Sequence, residues 1–164
     1  MKTLLIVRHA KSSWNDHTLS DFDRPLNDRG QKDAPEMAER LVKRKVPIDM
    51  FVSSPAKRAK KTALAFTKAY GRDKDEIVFV ESLYHATENE FFNVISQLPE
   101  TANSAAVFSH NPGITDFVNR LTDIRVDNVP TCGVFAVTFD GQWQSFKQTP
   151  KQFLFFDYPK NATD

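Results

Sequence analysis

The 164-residue sequence is poor in three features that would assign a protein to a special class. A single cysteine, Cys132, excludes an internal disulfide, so we expect a reducing, cytoplasmic environment. The 22 basic and 21 acidic residues nearly cancel, which removes the electrostatic argument for nonspecific binding to nucleic acids or membrane surfaces. No apolar run approaches the length of a membrane span, and the run after Met1 stops at Arg8, so we expect no signal peptide.

Length and patterning favour one α/β domain over residues 1–164, which we expect to be monomeric. A chain of this length can bury most of its apolar surface without disulfides or metal ions. Short apolar runs alternate with helical patterns, which predicts a three-layer α/β/α fold with a mostly parallel sheet and an antiparallel edge strand. The predicted strands lie near residues 3–8, 49–54, 77–80, 105–109 and 133–139. The predicted helices lie near residues 33–45, 56–70, 88–98 and 112–122.

A turn signal places the edge strand. Asp140-Gly141 is typical of a hairpin, so residues 143–147 are predicted to pair antiparallel with the strand at 133–139. The aromatic segment 153–158 is expected to pack on the domain surface, with self-association as the alternative.

The start of the first helix is set by two residues that disfavour helix. Gly30 and Pro35 argue against a continuous helix from Asp28. We therefore predict that Asp33 caps this helix and that Pro35 lies in its first turn.

Four basic side chains follow predicted strands. Arg8 and His9 come directly after the apolar run of residues 3–7, at the end of the first strand, and His110 follows the fourth. Arg58 lies in the first turn of the helix after the second strand. The carboxyl ends of parallel strands meet at one edge of a sheet, where such folds bind ligands, so we expect these side chains to form one site.

The chemistry of this set favours a phosphoryl ligand. Guanidinium groups bind phosphoryl oxygens bidentately, and helix starts attract anions. The set lacks the thiolate or carboxylate cluster of a metal site, so we expect no metal and no cofactor. A neutral imidazole is a competent nucleophile toward phosphorus, and nearby cations disfavour its protonation. His9 is the candidate nucleophile.

Three motifs resemble the histidine phosphatase superfamily, known from phosphoglycerate mutases and acid phosphatases. The first, Arg-His-Gly-x-Ser-x-x-Asn, corresponds to residues 8–15, with Ala10 in place of the glycine. The second, Ser-Pro-x-x-Arg-Ala-x-x-Thr-Ala, corresponds to residues 54–63, and the third ends at Ser109-His110. The short length and the segment 23–30 are most similar to SixA-type phosphohistidine phosphatases. The resemblance extends from Met1 to about Phe146.

The resemblance implies roles for the catalytic residues. His9 would form a phosphohistidine intermediate that water hydrolyses. Arg8 and Arg58 would hold the equatorial phosphoryl oxygens, and His110 would be a second imidazole in the phosphate pocket.

Two further residues are candidate phosphate or substrate ligands. Asn15 stands at the asparagine of the first motif and would add a side-chain donor. Arg24 lies in the SixA-like segment and could reach the substrate, the alternative being a salt bridge with Asp21 or Asp23. His17 and His85 lack such context, and we expect both in loops or on the surface.

The general acid is not identified. Many family members supply a carboxylate after the third strand, where this chain has Glu81, Glu88 and Glu90, and none of these matches unambiguously. A phosphorylated imidazole leaves more easily than an alkoxide, so weak acid assistance fits a phosphohistidine in a partner protein. The sequence therefore favours a metal-independent, SixA-type phosphatase. The alternatives are a phosphatase of small phosphate esters and a non-catalytic phosphate-binding module.

Overall fold

The computed structural model describes residues 1–161. Within that range six strands form one sheet in the order β3-β2-β4-β1-β5-β6. The strands are β1 (Lys2–Arg8), β2 (Met50–Ser53), β3 (Ile77–Phe79), β4 (Ser104–Ser109), β5 (Val134–Phe139) and β6 (Gln152–Asp157). The α-helices are α1 (Asp28–Lys43), α2 (Lys57–Ala69), α3 (Glu88–Ser96) and α4 (Gly113–Val118).

Strand direction divides the sheet into two parts. The strands β1, β2, β3 and β4 are parallel to one another, whereas β5 runs antiparallel to β1, and β6 antiparallel to β5. This arrangement confirms the predicted α/β class, with a mostly parallel sheet and an antiparallel edge.

Two apolar clusters cover the two faces of the sheet. Successive side chains of a strand point to opposite faces. Accordingly, Leu5 and Val7 of β1 belong to the cluster that contains residues of α1 and α2, whereas Leu4 and Ile6 belong to the cluster that contains residues of α3 and α4. The three-layer prediction is therefore confirmed. No helix within residues 1–161 combines the length and the apolar character required to cross a bilayer.

The predicted start of the first helix was wrong. α1 begins at Asp28, and the Asn27 side chain accepts a hydrogen bond from the Gly30 N–H at 2.8 Å. Glycine is required at position 30 because a Cβ there would lie 2.1 Å from the carbonyl oxygen of Lys11. Pro35 is tolerated inside the helix because it lies on the exposed face, where water can reach the carbonyl it leaves without a partner.

The predicted edge strand was also misplaced. Residues 143–147 lie in a 3₁₀ helix (Trp143–Gln148), and the edge strand is β6. Trp143 and Phe146 are fully buried, and both pack against Phe139. A 3₁₀ helix has three residues per turn and can bury both rings on one side, whereas a strand would turn them to opposite faces.

Strand register brings the candidate site residues to one edge. Arg8 pairs with Ser109, and Ser53 pairs with Phe108, so β1, β2 and β4 end at the same level. The segments that follow these three strands carry His9, Arg58 and His110.

Candidate active site

A cleft of about 550 Å³ opens at the carboxyl ends of β1, β2 and β4. Five of the six predicted site residues line it, namely Arg8, His9, Arg24, Arg58 and His110. The structure thus brings together side chains that are up to 102 positions apart in the chain.

The imidazole of His9 is buried and has a defined tautomer. Its Nδ1 lies 2.7 Å from the carbonyl oxygen of Ala10. A carbonyl can only accept a hydrogen bond, so Nδ1 carries the proton and Nε2 keeps its lone pair. Burial lowers the pKa of His9 to about 3 against the opposing effect of the Ala10 bond, and the nearby guanidiniums of Arg58, Arg8 and Arg24 lower it further. His9 is therefore neutral near pH 7.

His110 supplies a second neutral imidazole beside His9. The two ring centroids are 5.1 Å apart. His110 Nε2 lies 2.7 Å from the Ser54 hydroxyl, whose oxygen accepts a hydrogen bond from the Ala56 N–H at 3.2 Å. Burial lowers the pKa of His110 to about 2, and His9 and Arg58 contribute to the shift. Ser54 of the second motif thus fixes a ring that belongs to the third.

Each of the three arginines leaves a buried donor unpartnered. Within residues 1–161, five buried side-chain nitrogen or oxygen atoms have no hydrogen-bond partner in the protein, and four of them belong to this cleft. They are the Nε atoms of Arg8, Arg24 and Arg58 and the Nδ1 atom of His110. Such atoms are rare in folded proteins because each costs about 1–3 kcal/mol. Their concentration here indicates a site built for an anionic ligand.

The arginines are held by their terminal nitrogens. Arg8 donates from Nη1 to the Val129 carbonyl at 2.9 Å. Arg58 donates from Nη1 to the Asp21 carbonyl at 2.6 Å and from Nη2 to the Asp21 carboxylate at 3.0 Å. Arg24 donates to the Ser12 hydroxyl and to the Asp21 carboxylate. The guanidiniums are thus fixed in place before any ligand binds.

Arg24 lines the cleft, as predicted for a substrate ligand. It also forms the alternative salt bridge, with its Nη2 atom 3.2 Å from Oδ1 of Asp21. Its guanidinium lies 3.7 Å from the centroid of the Trp14 ring, a cation–π contact at the rim. The segment between β1 and α1 therefore supplies part of the cleft wall.

Thr62 connects the first and second motifs. Its hydroxyl accepts a hydrogen bond from the Ala10 N–H at 2.9 Å and donates one to the Arg58 carbonyl at 2.8 Å. The motif threonine therefore ties the residue after His9 to the helix that carries Arg58.

Asn15 lies outside the cleft. It is exposed and lines a separate groove with Ser13 and Pro25. Its predicted role as a phosphate ligand stays a prediction that this arrangement does not favour.

None of the three candidate acids lines the cleft. Glu81 is exposed, Glu88 forms an ion pair with Arg120 at 3.5 Å, and Glu90 accepts hydrogen bonds from Thr87 at the start of α3.

Sequence reasoning missed several members of the cleft. Asp21 was considered only as a salt-bridge partner, Ser12 was only part of the first motif, and Tyr84 was not considered. His85 is exposed as expected, and it also lines the cleft. These residues lie in loops or short turns without periodicity. The proximity of Asp21 to Arg24 in the sequence was the one usable signal.

Comparison with known proteins agrees with this geometry. A model of the histidine phosphatase superfamily, branch 1, matches residues 4–84. The crystal structure of the SixA protein of Agrobacterium tumefaciens is 25% identical and covers 96% of this chain and 98% of its own, with a TM-score of 0.81. In both sequence and fold, the chain is similar to members of the histidine phosphatase superfamily. These similarities support a phosphatase with a histidine nucleophile, as predicted.

Two sequence relatives add context to this similarity. An uncharacterized chloroplastic protein of Arabidopsis thaliana is 27% identical over 152 residues, which cover 87% of this chain and 69% of that protein. A metal-independent phosphoserine phosphatase of Arabidopsis thaliana is 39% identical over 67 residues, or 40% of this chain and 28% of that protein. The similarity to the superfamily is thus consistent across these comparisons, whereas the substrate requires a separate argument.

Proposed function

We propose that this protein is a SixA-type phosphohistidine phosphatase that removes the phosphoryl group from a histidine of a partner protein, with His9 as nucleophile. The observation that carries the proposal is the Nδ1–H of His9 on the Ala10 carbonyl, which leaves the Nε2 lone pair free in a cleft lined by three guanidiniums. Residues 1–164 form the single catalytic domain in this proposal. The lone cysteine supports a cytoplasmic location, because it fits a reducing compartment.

The reaction proceeds in two displacements. The Nε2 lone pair of His9 forms a bond to phosphorus as the P–N bond of a substrate phosphoimidazole breaks. The substrate ring carries a proton on its other nitrogen, so it leaves with the electron pair as a neutral imidazole. Positive charge develops on the His9 ring, and the Ala10 carbonyl stabilises it through the Nδ1–H bond. Water then attacks the phosphorus of the phosphoenzyme, releasing phosphate and a proton and restoring neutral His9.

The guanidiniums stabilise the phosphoryl group during both displacements. The unpartnered Nε–H groups of Arg8, Arg24 and Arg58 are donors already in place, so little reorganisation is required as charge shifts onto the phosphoryl oxygens. The loss of one such donor typically costs about 10²–10³ in rate.

The carboxyl groups near the cleft are poorly suited to protonate a leaving group, which favours an imidazole over an alkoxide. Glu81, Glu88 and Glu90 do not line the cleft. Asp21 does line it, but hydrogen bonds from Tyr84, Arg58 and Arg24 outweigh the effect of burial and hold its pKa well below the usual range. Among residues 1–161, therefore, no carboxyl group that lines the cleft is protonated near neutral pH. An imidazole needs less protonation than an alkoxide to leave, so a phosphoramidate suits this site better than an alkyl ester.

A small phosphate ester is the second candidate substrate. Phosphoserine phosphatases of Arabidopsis thaliana and Hydrogenobacter thermophilus are 39% and 38% identical to this chain over 67 and 71 residues. The cleft of about 550 Å³ has room for a phosphorylated amino acid as well as for a phosphorylated side chain.

Turnover on matched substrates tests the proposal. We expect faster hydrolysis of a phosphohistidine-bearing phosphotransfer domain than of phosphoserine and sugar phosphates at equal concentrations. Rapid quench should show a phosphoenzyme burst that His9→Ala abolishes and that the loop control His17→Ala retains. A higher kcat/KM for phosphoserine than for the phosphohistidine domain would favour a phosphatase of small phosphate esters. Absence of any phosphoenzyme with every phosphodonor would support the non-catalytic binding module.

A further inference from the structure

Asp21 joins three segments of the cleft through one carboxylate. Oδ2 accepts from Arg58 Nη2 at 3.0 Å and from the Tyr84 hydroxyl at 2.5 Å. Oδ1 accepts from Arg24 Nη2 at 3.2 Å. These donors come from the start of α2, from the turn after β3 and from the segment before α1. A residue that is nearly half exposed thus connects otherwise separate parts of the site.

Asp21 binds the terminal nitrogens of both guanidiniums and leaves their Nε atoms free. Asp21 takes both terminal nitrogens of Arg58, and Asp21 and Ser12 together take both terminal nitrogens of Arg24. A guanidinium is planar, so holding its two Nη atoms fixes the direction of its Nε–H. In both arginines Nε is the buried donor that has no hydrogen-bond partner among residues 1–161.

We propose that Asp21 is a positioning residue: it holds Arg58 and Arg24 by their terminal nitrogens, so that their Nε–H groups face the phosphoryl group in the transition state. This inference rests on the phosphoryl cleft proposed above. Tyr84 acts through Asp21, because its hydroxyl donates to the same carboxylate oxygen that binds Arg58.

The charges around the cleft agree with this role. Arg8, Arg24 and Arg58 line one cleft, and their like charges repel one another. Asp21 is the one acidic residue among those that line the cleft within residues 1–161. Its low pKa keeps it ionised near neutral pH, so it compensates part of that charge.

The same contacts allow an alternative role for Asp21, in which its carboxylate occupies the phosphoryl-binding position and competes with substrate. If the carboxylate occupied the position of the phosphoryl group, substrate would have to displace it, and its removal would strengthen the binding of oxyanions. If it positions the arginines, its removal weakens the binding of a transition-state analogue more than that of a ground-state anion.

Asp21→Asn separates the two interpretations, because the amide keeps the size and removes the charge. We would measure kcat, inhibition by vanadate, which mimics the five-coordinate transition state, and inhibition by inorganic phosphate. Asp23→Asn is the matched control, since Asp23 lies in the same segment, binds Ser20 at 3.0 Å and does not line the cleft. Thermal unfolding of each variant shows whether the fold is retained.

For Asp21→Asn we expect kcat and vanadate affinity to fall by about tenfold or more, the scale at which outer carboxylates act on metal ligands. Phosphate inhibition should change less, and Asp23→Asn should match wild type. Unchanged or tighter vanadate inhibition in Asp21→Asn would overturn the positioning role. A wild-type protein without turnover or vanadate inhibition would instead reject the phosphoryl cleft itself.

A double-mutant cycle with Tyr84→Phe adds a second test. If Tyr84 acts through Asp21, Tyr84→Phe lowers kcat, and the double variant is no slower than Asp21→Asn alone. Additive losses would show that Tyr84 acts on the substrate directly and would remove it from the proposed arrangement.

Discussion

The backbone N–H of Ala10 donates to the Thr62 hydroxyl at 2.9 Å. The same hydroxyl donates to the Arg58 carbonyl at 2.8 Å, so the residue after His9 is tied to the first turn of α2. Thr62 therefore fixes the position of His9, the candidate nucleophile, relative to Arg58, a candidate ligand of the phosphoryl oxygens.

We predict that Thr62→Val lowers both stability and kcat. The valine leaves the buried Ala10 N–H without an acceptor, a loss of about 1–3 kcal/mol in the free energy of unfolding. Urea unfolding and steady-state kinetics would measure the two effects. Thr67→Val is the control, because Thr67 is buried on the same helix and its hydroxyl donates to the Leu64 carbonyl within that helix. Equal kcat values for the two variants would contradict the predicted connection.

Arg58→Ala should lose about 3–4 kcal/mol of transition-state stabilisation, the scale of one preorganised donor. The reason is that Arg58 lines the cleft and carries its positive charge there, with a buried Nε–H that makes no hydrogen bond within residues 1–161. kcat/KM on a phosphohistidine substrate is the measurement. Arg72→Ala is the control, since that guanidinium bonds to Glu76 outside the cleft. A rate for Arg58→Ala within threefold of wild type would place Arg58 outside the reaction.

His9 and His110 should remain neutral well below the ordinary histidine pKa. Burial lowers their pKa values to about 3 and about 2. Histidine NMR titration should show both rings neutral at pH 5, with the proton of His9 on Nδ1. A titration of His9 near pH 6.5, the ordinary value, would contradict the burial argument.

The same shifts predict how stability depends on pH. Both folded-state values lie below the ordinary value, so the unfolded chain binds more protons as the pH falls from about 6.5 toward 3. The free energy of unfolding should therefore decrease across this window by about 1.4 kcal/mol per pH unit for each histidine. Urea unfolding at several pH values would measure the slope, and His110→Asn should reduce it. An unchanged slope in that variant would show that His110 titrates normally.

Leaving-group dependence tests the substrate class. Without a positioned carboxylic acid, phosphoimidazole and aryl phosphates should turn over well and alkyl phosphates poorly. Glu81→Gln, Glu88→Gln and Glu90→Gln should each change the phosphohistidine rate only slightly, because a positioned acid is normally worth about 10²–10⁴. A loss of about a hundredfold or more on alkyl phosphates in one variant would identify an acid. That result would favour the small-ester reading.

The sequence predicted the residues that follow strands better than it predicted the rest. Arg8, His9 and His110 were found because the carboxyl ends of parallel strands meet at one edge, whatever the register. Asp21 and Tyr84 join the cleft through side-chain hydrogen bonds between separate segments, and no periodicity encodes such contacts.

The errors in the fold have a similar origin. Pro35 is a local signal against helix, but the cap at Asn27 and the contact of Gly30 with the Lys11 backbone outweighed it. The segment around Trp143 and Phe146 has strand-like composition, yet both aromatic rings pack against the buried Phe139 ring on one side of the segment. Tertiary packing decided both cases.

The unpartnered donors of the cleft also bear on the stability of the protein as a whole. Among residues 1–161, three Nε–H groups and one imidazole nitrogen are removed from water without a hydrogen-bond partner, a cost that apolar side chains at these positions would avoid. An oxyanion that bonds to them recovers part of this free energy, and by linkage it raises the unfolding temperature as its concentration rises above its dissociation constant. The features that make the site reactive are thus the ones that a selection for thermostability alone would remove first.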